Sequence, residues 1–145
     1  MSTPESAASE PIDVMSVLGH RGVGELAEKM GIEFLELTPE HSVATMPAEG
    51  NRQPYGIVHG GAYVVLAESM GSIAANLYAG PGRVAMGIEV NASHSGSARE
   101  GIVTGTCRAL KLGRTLTTHQ IEITDEAGRL LSTVRITNFI RDDRR

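Results

Sequence analysis

The 145-residue chain contains no tryptophan, two phenylalanines and three tyrosines. Nucleic-acid-binding proteins often stack bases on aromatic side chains, so this scarcity argues against a base-binding surface. The chain also lacks a cationic excess, because 13 lysines and arginines stand against 17 aspartates and glutamates, a net charge of −4. A negative balance disfavours nonspecific contact with nucleic acid or with an anionic membrane. We therefore expect neither nucleic acid nor a membrane among the partners.

Cysteine is nearly absent as well, and the single Cys107 excludes an internal disulfide and any zinc site with several cysteines. The five histidines, at positions 20, 41, 59, 94 and 119, do not have the spacing of metal ligands. We expect no metal and no cofactor, and a reducing, cytoplasmic location. The first residues lack the basic and apolar regions of a secretory signal. We predict a flexible tail over 1–16 and a single domain over 17–145.

The order of the predicted elements indicates an α+β fold. A short helix (Gly24–Gly31) and a hairpin (Gly31–Leu37 with Ser42–Ala48) precede a helix of about 18 residues that follows Gly60. Four runs rich in Val, Ile and Thr come next, joined by short links that contain glycine: Arg83–His94, Gly101–Leu110, Leu116–Thr124 and Leu130–Ile140. Short links imply antiparallel neighbours. Because the long helix is mostly apolar, we expect a curved antiparallel sheet to wrap around it.

The stretch "GIVHGGAY" places two glycines, Gly60 and Gly61, where the long helix begins. The first N–H groups of a helix have no partner inside it, and the helix dipole is positive at that end. Without a β-carbon, Gly60 lets a ligand carbonyl come close to a backbone donor, so its N–H is a candidate oxyanion donor. The alternative is that the glycines only form a tight loop into the helix.

Between Gly61 and Gly82 the sequence has one charged side chain, Glu68, and no lysine or arginine stands three or four positions from it. A lone glutamate on a helix is usually a solvated or salt-bridged surface residue. Burial without a cation would instead favour its neutral form and suit it to general-base chemistry. A carboxylate can also attack a carbonyl directly and form an anhydride. Glu68 is therefore the candidate catalytic group.

The spacing of these two candidates has a consequence for assembly. Glu68 lies eight residues beyond Gly60, which is about 12 Å along a helix. One chain cannot easily bring both groups to the same carbonyl, so a shared site requires a symmetric dimer in which Glu68 of one subunit meets the helix start of the other. Ser72, four residues after Glu68, shares its helical face and is placed to orient the carboxylate or a water.

Other side chains are candidates for the surroundings of this site. Gln53 is placed to donate to a substrate carbonyl, and His59 to shape the loop or position a ligand. His94 ends a predicted strand, and each of these three side chains has a structural role as its alternative. Three methionines are candidates for an adaptable apolar pocket: Met46, Met70 and Met86.

Three stretches together resemble the hotdog-fold acyl-CoA thioesterases of the PaaI-like group: "NRQPYGIVHGGAYVVLAESMGSIA", "MGIEVNASH" and "REGIVTGTCRALKLGRTLTTHQIEITDEAGRLLST". The likeness extends from about Gly31 to Ile140. Within the group it is strongest to the 4-hydroxybenzoyl-CoA thioesterases with a helix glutamate and to the enterobactin-pathway proofreading thioesterases. The resemblance implies a hotdog fold, a curved antiparallel β-sheet wrapped around one long central helix, and hydrolysis of aryl or medium-sized acyl-CoA thioesters.

By this resemblance, Glu68 is the catalytic carboxylate, as nucleophile or as base for water, and the Gly60 N–H is the oxyanion donor. Gln53 and His59 match polar contacts to the thioester, and Ser72 matches a hydroxyl that supports the attacking group. The positions implied for substrate binding are Gly87, His94, Ser95, Gly96, Ser97, Lys111 and Arg114, the last two as phosphate partners of coenzyme A. The sequence departs from the family at 95–97, where relatives often carry arginine or proline after the histidine.

Two other functions are compatible with the same pattern. A noncatalytic acyl-CoA-binding hotdog module would bind the thioester tightly without hydrolysing it. A hotdog enoyl-CoA hydratase would carry a paired His and Asp near the helix start, but the loop Tyr55–Gly61 has no aspartate. The resemblance further implies a homodimer that pairs into a homotetramer. The acyl group stays open, as does the choice between CoA and carrier-protein thioesters.

Overall fold

The computed structural model describes residues 10–144, which form one antiparallel sheet around a long helix. The chain begins with α1 (Val14–Leu18), a 3-10 turn (Gly19–Arg21) and α2 (Glu25–Lys29), and the long helix is α3 (Gly60–Ala79). The strands are β1 (Glu33–Leu37), β2 (His41–Pro47), β3 (Arg83–His94), β4 (Ile102–Leu112), β5 (Leu116–Thr124) and β6 (Leu130–Asp142). Their spatial order is β1-β2-β4-β5-β6-β3, and α3 contacts every strand from β2 to β6.

This architecture confirms the predicted α+β fold. Strand β3 begins and ends where the sequence predicted, and β6 continues two residues past its predicted end at Ile140. Helix α3 has 20 residues, about 30 Å, and already includes Gly60. Residues 1–9 of the predicted tail lie outside the described part of the chain, whereas residues 14–16 at its end belong to α1, so a tail over 1–9 and the single-domain boundary stay predictions. No helix between residues 10 and 144 is long and apolar enough to cross a membrane.

Helix α3 packs tightly against the sheet at Gly71. A β-carbon at this position would lie 2.3 Å from Cγ2 of Ile136 on β6, so only glycine lets the helix lie this close to the strand. Met46 and Met70 are fully buried in the same core, so they do not line an open pocket, whereas Met86 is exposed on β3. The packing at Gly71 therefore sets where the middle of α3 sits over the sheet.

His119 is a fully buried titratable group in this core, on β5 beneath α3. Its Nε2 lies 2.8 Å from the carbonyl oxygen of Pro39, so Nε2 carries the proton and donates. Nδ1 has no hydrogen-bond partner among residues 10–144. Burial lowers the pKa of His119 from its ordinary 6.5, although the Pro39 carbonyl opposes this effect.

We predict a pH-dependent loss of stability that originates at His119. Because its folded pKa is lowered, the stabilising contribution is complete above about pH 6.5 and decreases as the pH falls below it, by at most about 1.4 kcal/mol per pH unit. Urea unfolding between pH 7.5 and 5 measures this slope. His119→Gln keeps a donor for Pro39 but cannot titrate, so its free energy of unfolding should fall less steeply. Equal slopes in both proteins would contradict the assignment.

Candidate active site

The loop that leads into α3 is held by hydrogen bonds to several parts of the fold. The Asn51 side chain donates to the carbonyl oxygens of Met30 and Pro47, both at 2.8 Å, and the Asn51 backbone carbonyl accepts from the His59 N–H. Nδ1 of His59 then accepts from the Gly61 N–H at 2.8 Å and caps the helix. His59 therefore shapes the loop, as one of its two expected roles, and the start of α3 is preorganised.

Gly60 and His94 meet at the helix start. The Gly60 N–H has no acceptor among residues 10–144, so it is available to a ligand oxygen. A β-carbon on Gly60 would lie 2.8 Å from Cδ2 and Nε2 of the His94 ring, which a side chain at this position could not tolerate. The structure thus brings together a backbone donor and an imidazole that are 34 positions apart in the chain.

The tautomer of His94 follows from its neighbours. Its Nδ1 lies 2.8 Å from Oγ of the buried Ser132, and that hydroxyl donates its only proton to the Ser93 carbonyl at 3.3 Å. Nδ1 must then be the donor to Ser132, which leaves Nε2 as an acceptor facing Gly60. The ring is steadied further by Tyr63 of α3, with centroids 5.6 Å apart. His94 is thus able to accept a hydrogen bond from a water or substrate at the helix start.

Gln53 has a defined amide orientation in the same loop. Its Oε1 accepts a hydrogen bond from the Tyr55 N–H, and its backbone exchanges hydrogen bonds with the turn through Gly56 and Ile57. Because the oxygen is occupied, the Nε2 group is the part of the amide available for a ligand, and it has no acceptor within the described chain. Gln53 therefore retains a donor, as its expected role requires.

Glu68 begins the third turn of α3, close to the edge strand β3. Its Oε1 is 3.5 Å from the point where a β-carbon on Gly87 would sit, so Gly87 leaves room for the carboxylate. Glu68 is exposed in the single chain, so the burial expected for it is not supplied by its own subunit. The reason is its position: this face of α3 overlooks the open edge of the sheet rather than the core.

Ser72 and Asn138 lie beneath this carboxylate. The Ser72 hydroxyl donates to Oδ1 of Asn138 at 3.4 Å, and the same oxygen lies 3.7 Å from the β-carbon position of Gly87. Asn138 is fully buried, and its Nδ2 has no partner among residues 10–144. A buried amide with an unused donor is costly unless it serves a polar site, so we group Asn138 with Glu68 and Ser72.

The other expected binding residues fall into two separate places. Ser95 and Gly96 extend from His94 and donate their N–H groups to the Leu131 carbonyl, at 2.9 and 3.0 Å, and Ser97 follows them on the surface. Lys111 and Arg114 instead belong to the end of β4 and the turn after it, beside the far end of α3. Hydrogen bonds from Tyr78 to the Leu112 carbonyl and from Arg83 to the Arg114 carbonyl hold this turn there. Lys111 and Arg114 are therefore remote from the helix start of their own chain.

Comparisons with known proteins place this geometry in a family. The family model of the thioesterase superfamily matches residues 55–132. A 1,4-dihydroxy-2-naphthoyl-CoA hydrolase of Escherichia coli strain K12 is 42% identical over 127 residues, 87% of this chain and 93% of that protein. The proofreading thioesterase EntH of Cronobacter turicensis is 39% identical with the same coverage of both chains. A solved thioesterase structure from Haemophilus influenzae has a TM-score of 0.82 and 30% identity, covering 92% of this chain and 94% of that one.

The chain belongs to the thioesterase superfamily. The resemblance drawn from the motifs is thereby confirmed, together with the hotdog fold and the activity class of a thioester hydrolase. The matched segment of the thioesterase includes Gly60, Glu68 and His94, whereas Gln53 and Asn138 lie outside it. Between residues 10 and 144 no group of three or more His, Cys, Asp and Glu side chains is arranged to hold a metal ion.

Sequence reasoning missed two polar residues of this candidate site, Asn138 and Ser132. Both lie on β6 and are fully buried. A signal for Asn138 was present, because β6 buries every second residue from Val134 onward and Asn138 interrupts the apolar series between Ile136 and Ile140. An inward polar residue in such a series is exceptional and marks a buried polar site. Ser132 carries no comparable signal, since its link to His94 depends on strand pairing.

Proposed function

We propose that this thioesterase hydrolyses aryl or medium-sized acyl-CoA thioesters to the free acid and CoA, at sites formed between two subunits. The observation that carries the proposal is the separation of an unused N–H at Gly60 from the exposed carboxylate of Glu68 by about 12 Å of the same helix. The similarity to a naphthoyl-CoA hydrolase and a proofreading thioesterase supports the substrate class.

In the proposed reaction, the thioester carbonyl oxygen accepts hydrogen bonds from the Gly60 N–H and the Gln53 amide, which stabilise the negative charge that develops on it. Glu68 of the second subunit then acts in one of two ways. It attacks the carbonyl carbon and forms an anhydride that water hydrolyses, or it removes a proton from an attacking water. In both routes the carbon–sulfur bond breaks and CoA leaves as the thiolate. Ser72, held by Asn138, orients the carboxylate or the water.

The edge strand β3 supports the proposed dimer. It pairs with β6 on one side only, and its other edge is open within the described chain. Met86 and Ile88 on this strand are 53% and 60% exposed, an unusual amount of apolar surface beside an open edge. Antiparallel pairing of two β3 strands would continue the sheet, cover these side chains and enclose Glu68. A further pairing of dimers into a tetramer rests on the family resemblance, as do the phosphate contacts of Lys111 and Arg114.

We predict that Ile88→Lys converts the dimer into monomers and lowers thioesterase activity by at least about tenfold, because it replaces an apolar side chain by a cation on both of the paired edge strands. Sedimentation analysis measures the assembly and thiol release measures the activity. Leu110→Lys, at a residue 55% exposed on β4, is the matched control and should stay dimeric and active. A dimeric, active Ile88→Lys protein would show that β3 is not the interface.

The direct test of the function is release of free thiol from a panel of aryl-CoA and aliphatic acyl-CoA thioesters. Hydrolysis of at least one class with saturation kinetics is expected. Tight binding of the whole panel without hydrolysis would favour the noncatalytic module, and loss of an enoyl double bond without thiol release would favour a hydratase. The same acyl groups on pantetheine and on a carrier protein show which carrier is used. A cytoplasmic location stays a prediction, in keeping with the free, buried thiol of Cys107.

A further inference from the structure

A cleft of about 860 Å³ lies beside Glu68 and follows the last turns of α3. It begins at Ser72, one turn after Glu68, and at Met86, the neighbour of the Gly87 that faces the carboxylate. It ends around Gly80, where the helix stops. The distance from Ser72 to Gly80 is about 12 Å along the helix axis. When the thioester carbonyl is at Glu68, the cleft can therefore receive either the acyl group or the CoA arm of the thioester.

The wall nearest Glu68 offers apolar contacts. Its apolar lining residues are Ile73, Leu77, Val84 and Met86. The polar Asn76 in this wall is already occupied, because its amide donates to the carbonyls of Ser72 and Ala85 at 2.9 and 3.1 Å and accepts from the Ala85 N–H at 2.9 Å. A ligand segment with amide groups would lose its hydrogen bonds to water here without replacement. The wall thus fits a hydrocarbon body better than the amide-containing pantetheine arm of CoA.

The far end of the cleft is strongly cationic. Among the lining residues that the structure describes, four are arginines and one is an acid: Arg21, Arg83, Arg141, Arg144 and Asp143. The Asp142 carboxylate, 3.8 Å from Arg83 Nε, reduces this excess from three positive charges to two, which still contrasts with the net charge of −4 on the whole chain. Arg83 and Arg141 also donate to the backbone carbonyls of Arg114 and Asp142, and these contacts help to position their guanidinium groups. Clustered guanidinium groups repel one another unless an anion joins them.

We propose that the cleft binds an acyl group with an apolar body and a carboxylate at its far end. The CoA monothioester of a dicarboxylic acid carries such an acyl group. This inference rests on the proposed thioesterase function and names the substrate class of the same site. The thioester carbonyl lies at Glu68, the hydrocarbon follows α3 past Ile73 and Leu77, and the distal carboxylate reaches the arginines. Guanidinium groups bind carboxylates through paired, charge-assisted hydrogen bonds, which makes the arginine end selective for this group.

The test compares two CoA thioesters of equal chain length, octanoyl-CoA and the monothioester of octanedioic acid. For the wild type we expect kcat/KM to be about tenfold or more higher for the carboxylated substrate. Arg83→Gln and Arg141→Gln, alone and together, should lower kcat/KM for this substrate by a much larger factor than for octanoyl-CoA. Arg108→Gln, an exposed β4 arginine outside the cleft, is the matched control for loss of one charge and should preserve the preference.

Coenzyme A also carries anionic phosphates, so the same pair is measured as pantetheine thioesters, which lack them. Persistence of the carboxylate preference and of its dependence on Arg83 and Arg141 supports an acyl site. If these substitutions lower kcat/KM equally for both CoA substrates and have no effect on the pantetheine thioesters, the arginines bind the phosphates of CoA, and the inference is overturned. Hydrolysis of both acyl groups without preference would overturn it while the thioesterase function stands. Absence of hydrolysis of every thioester would overturn the proposed function and this inference together.

Discussion

Replacing Glu68 by glutamine is expected to lower kcat for thioester hydrolysis by about 10²- to 10⁴-fold, with a much smaller change in KM. Glutamine has nearly the same size and keeps an oxygen acceptor, but it can neither attack the carbonyl carbon nor take a proton from water. Because Glu68 is exposed in the single chain and makes no hydrogen bond to any residue from 10 to 144, the substitution should leave the folded subunit intact. Thiol release under saturating and limiting substrate separates the effects on kcat and KM.

A nearby carboxylate provides the control for this substitution. Glu89 is exposed on β3, two residues beyond the Gly87 that faces Glu68, and its oxygens accept from Asn91. Glu89→Gln removes the same charge from the same region and should retain most of the activity. Wild-type turnover by the Glu68→Gln protein would eliminate this carboxylate from the reaction. A large rise in KM with unchanged kcat would make Glu68 a binding residue instead.

The second large effect is recovery of activity when two inactive subunits are mixed. Gly60→Ala introduces a β-carbon that would lie 2.8 Å from the His94 ring, so it should displace the imidazole and disrupt the helix start. Homodimers of Gly60→Ala and of Glu68→Gln should each be nearly inactive. A mixed dimer contains one site with an intact Gly60 and an intact Glu68, and its second site lacks both. Because about half of the randomly assorted dimers are mixed, the mixture should recover about one quarter of wild-type activity.

Co-expression with two different affinity tags isolates the mixed dimers, which should have about half the activity of the wild-type dimer. A mixture of Glu68→Gln with Glu68→Ala subunits serves as the control, because no pairing of these chains restores the carboxylate. If purified mixed dimers of the Gly60→Ala and Glu68→Gln chains remain inactive, the two groups do not serve one shared site. The measurement is independent of which acyl group is the best substrate.

Much of the fold could be predicted because it depends on local pattern. The apolar run after Gly60 fits only a helix with partners on several sides, and the Val- and Ile-rich runs with short glycine links fit antiparallel strands. The distance between Gly60 and Glu68 was also predictable, since both lie on one helix with a fixed rise per residue. This single spacing is the basis of the dimer proposal.

Other features depend on contacts between distant segments, and no local pattern determines them. The approach of His94 to Gly60 and of Ser72 to Asn138 requires β3, β6 and α3 to be packed together. The burial of Met70, in contrast to the exposure of Met86, likewise depends on which face each element turns to the core.

The sequence by itself determined the class of fold, the helix-start donor and the carboxylate 12 Å along the same helix, because backbone geometry converts spacing directly into distance. Only the tertiary structure decided that Glu68 faces the open edge of β3, that Lys111 and Arg114 lie far from their own helix start, and that four arginines from three separate segments meet at one cleft. Side-chain convergence across strands depends on register and packing, which a one-dimensional pattern does not contain.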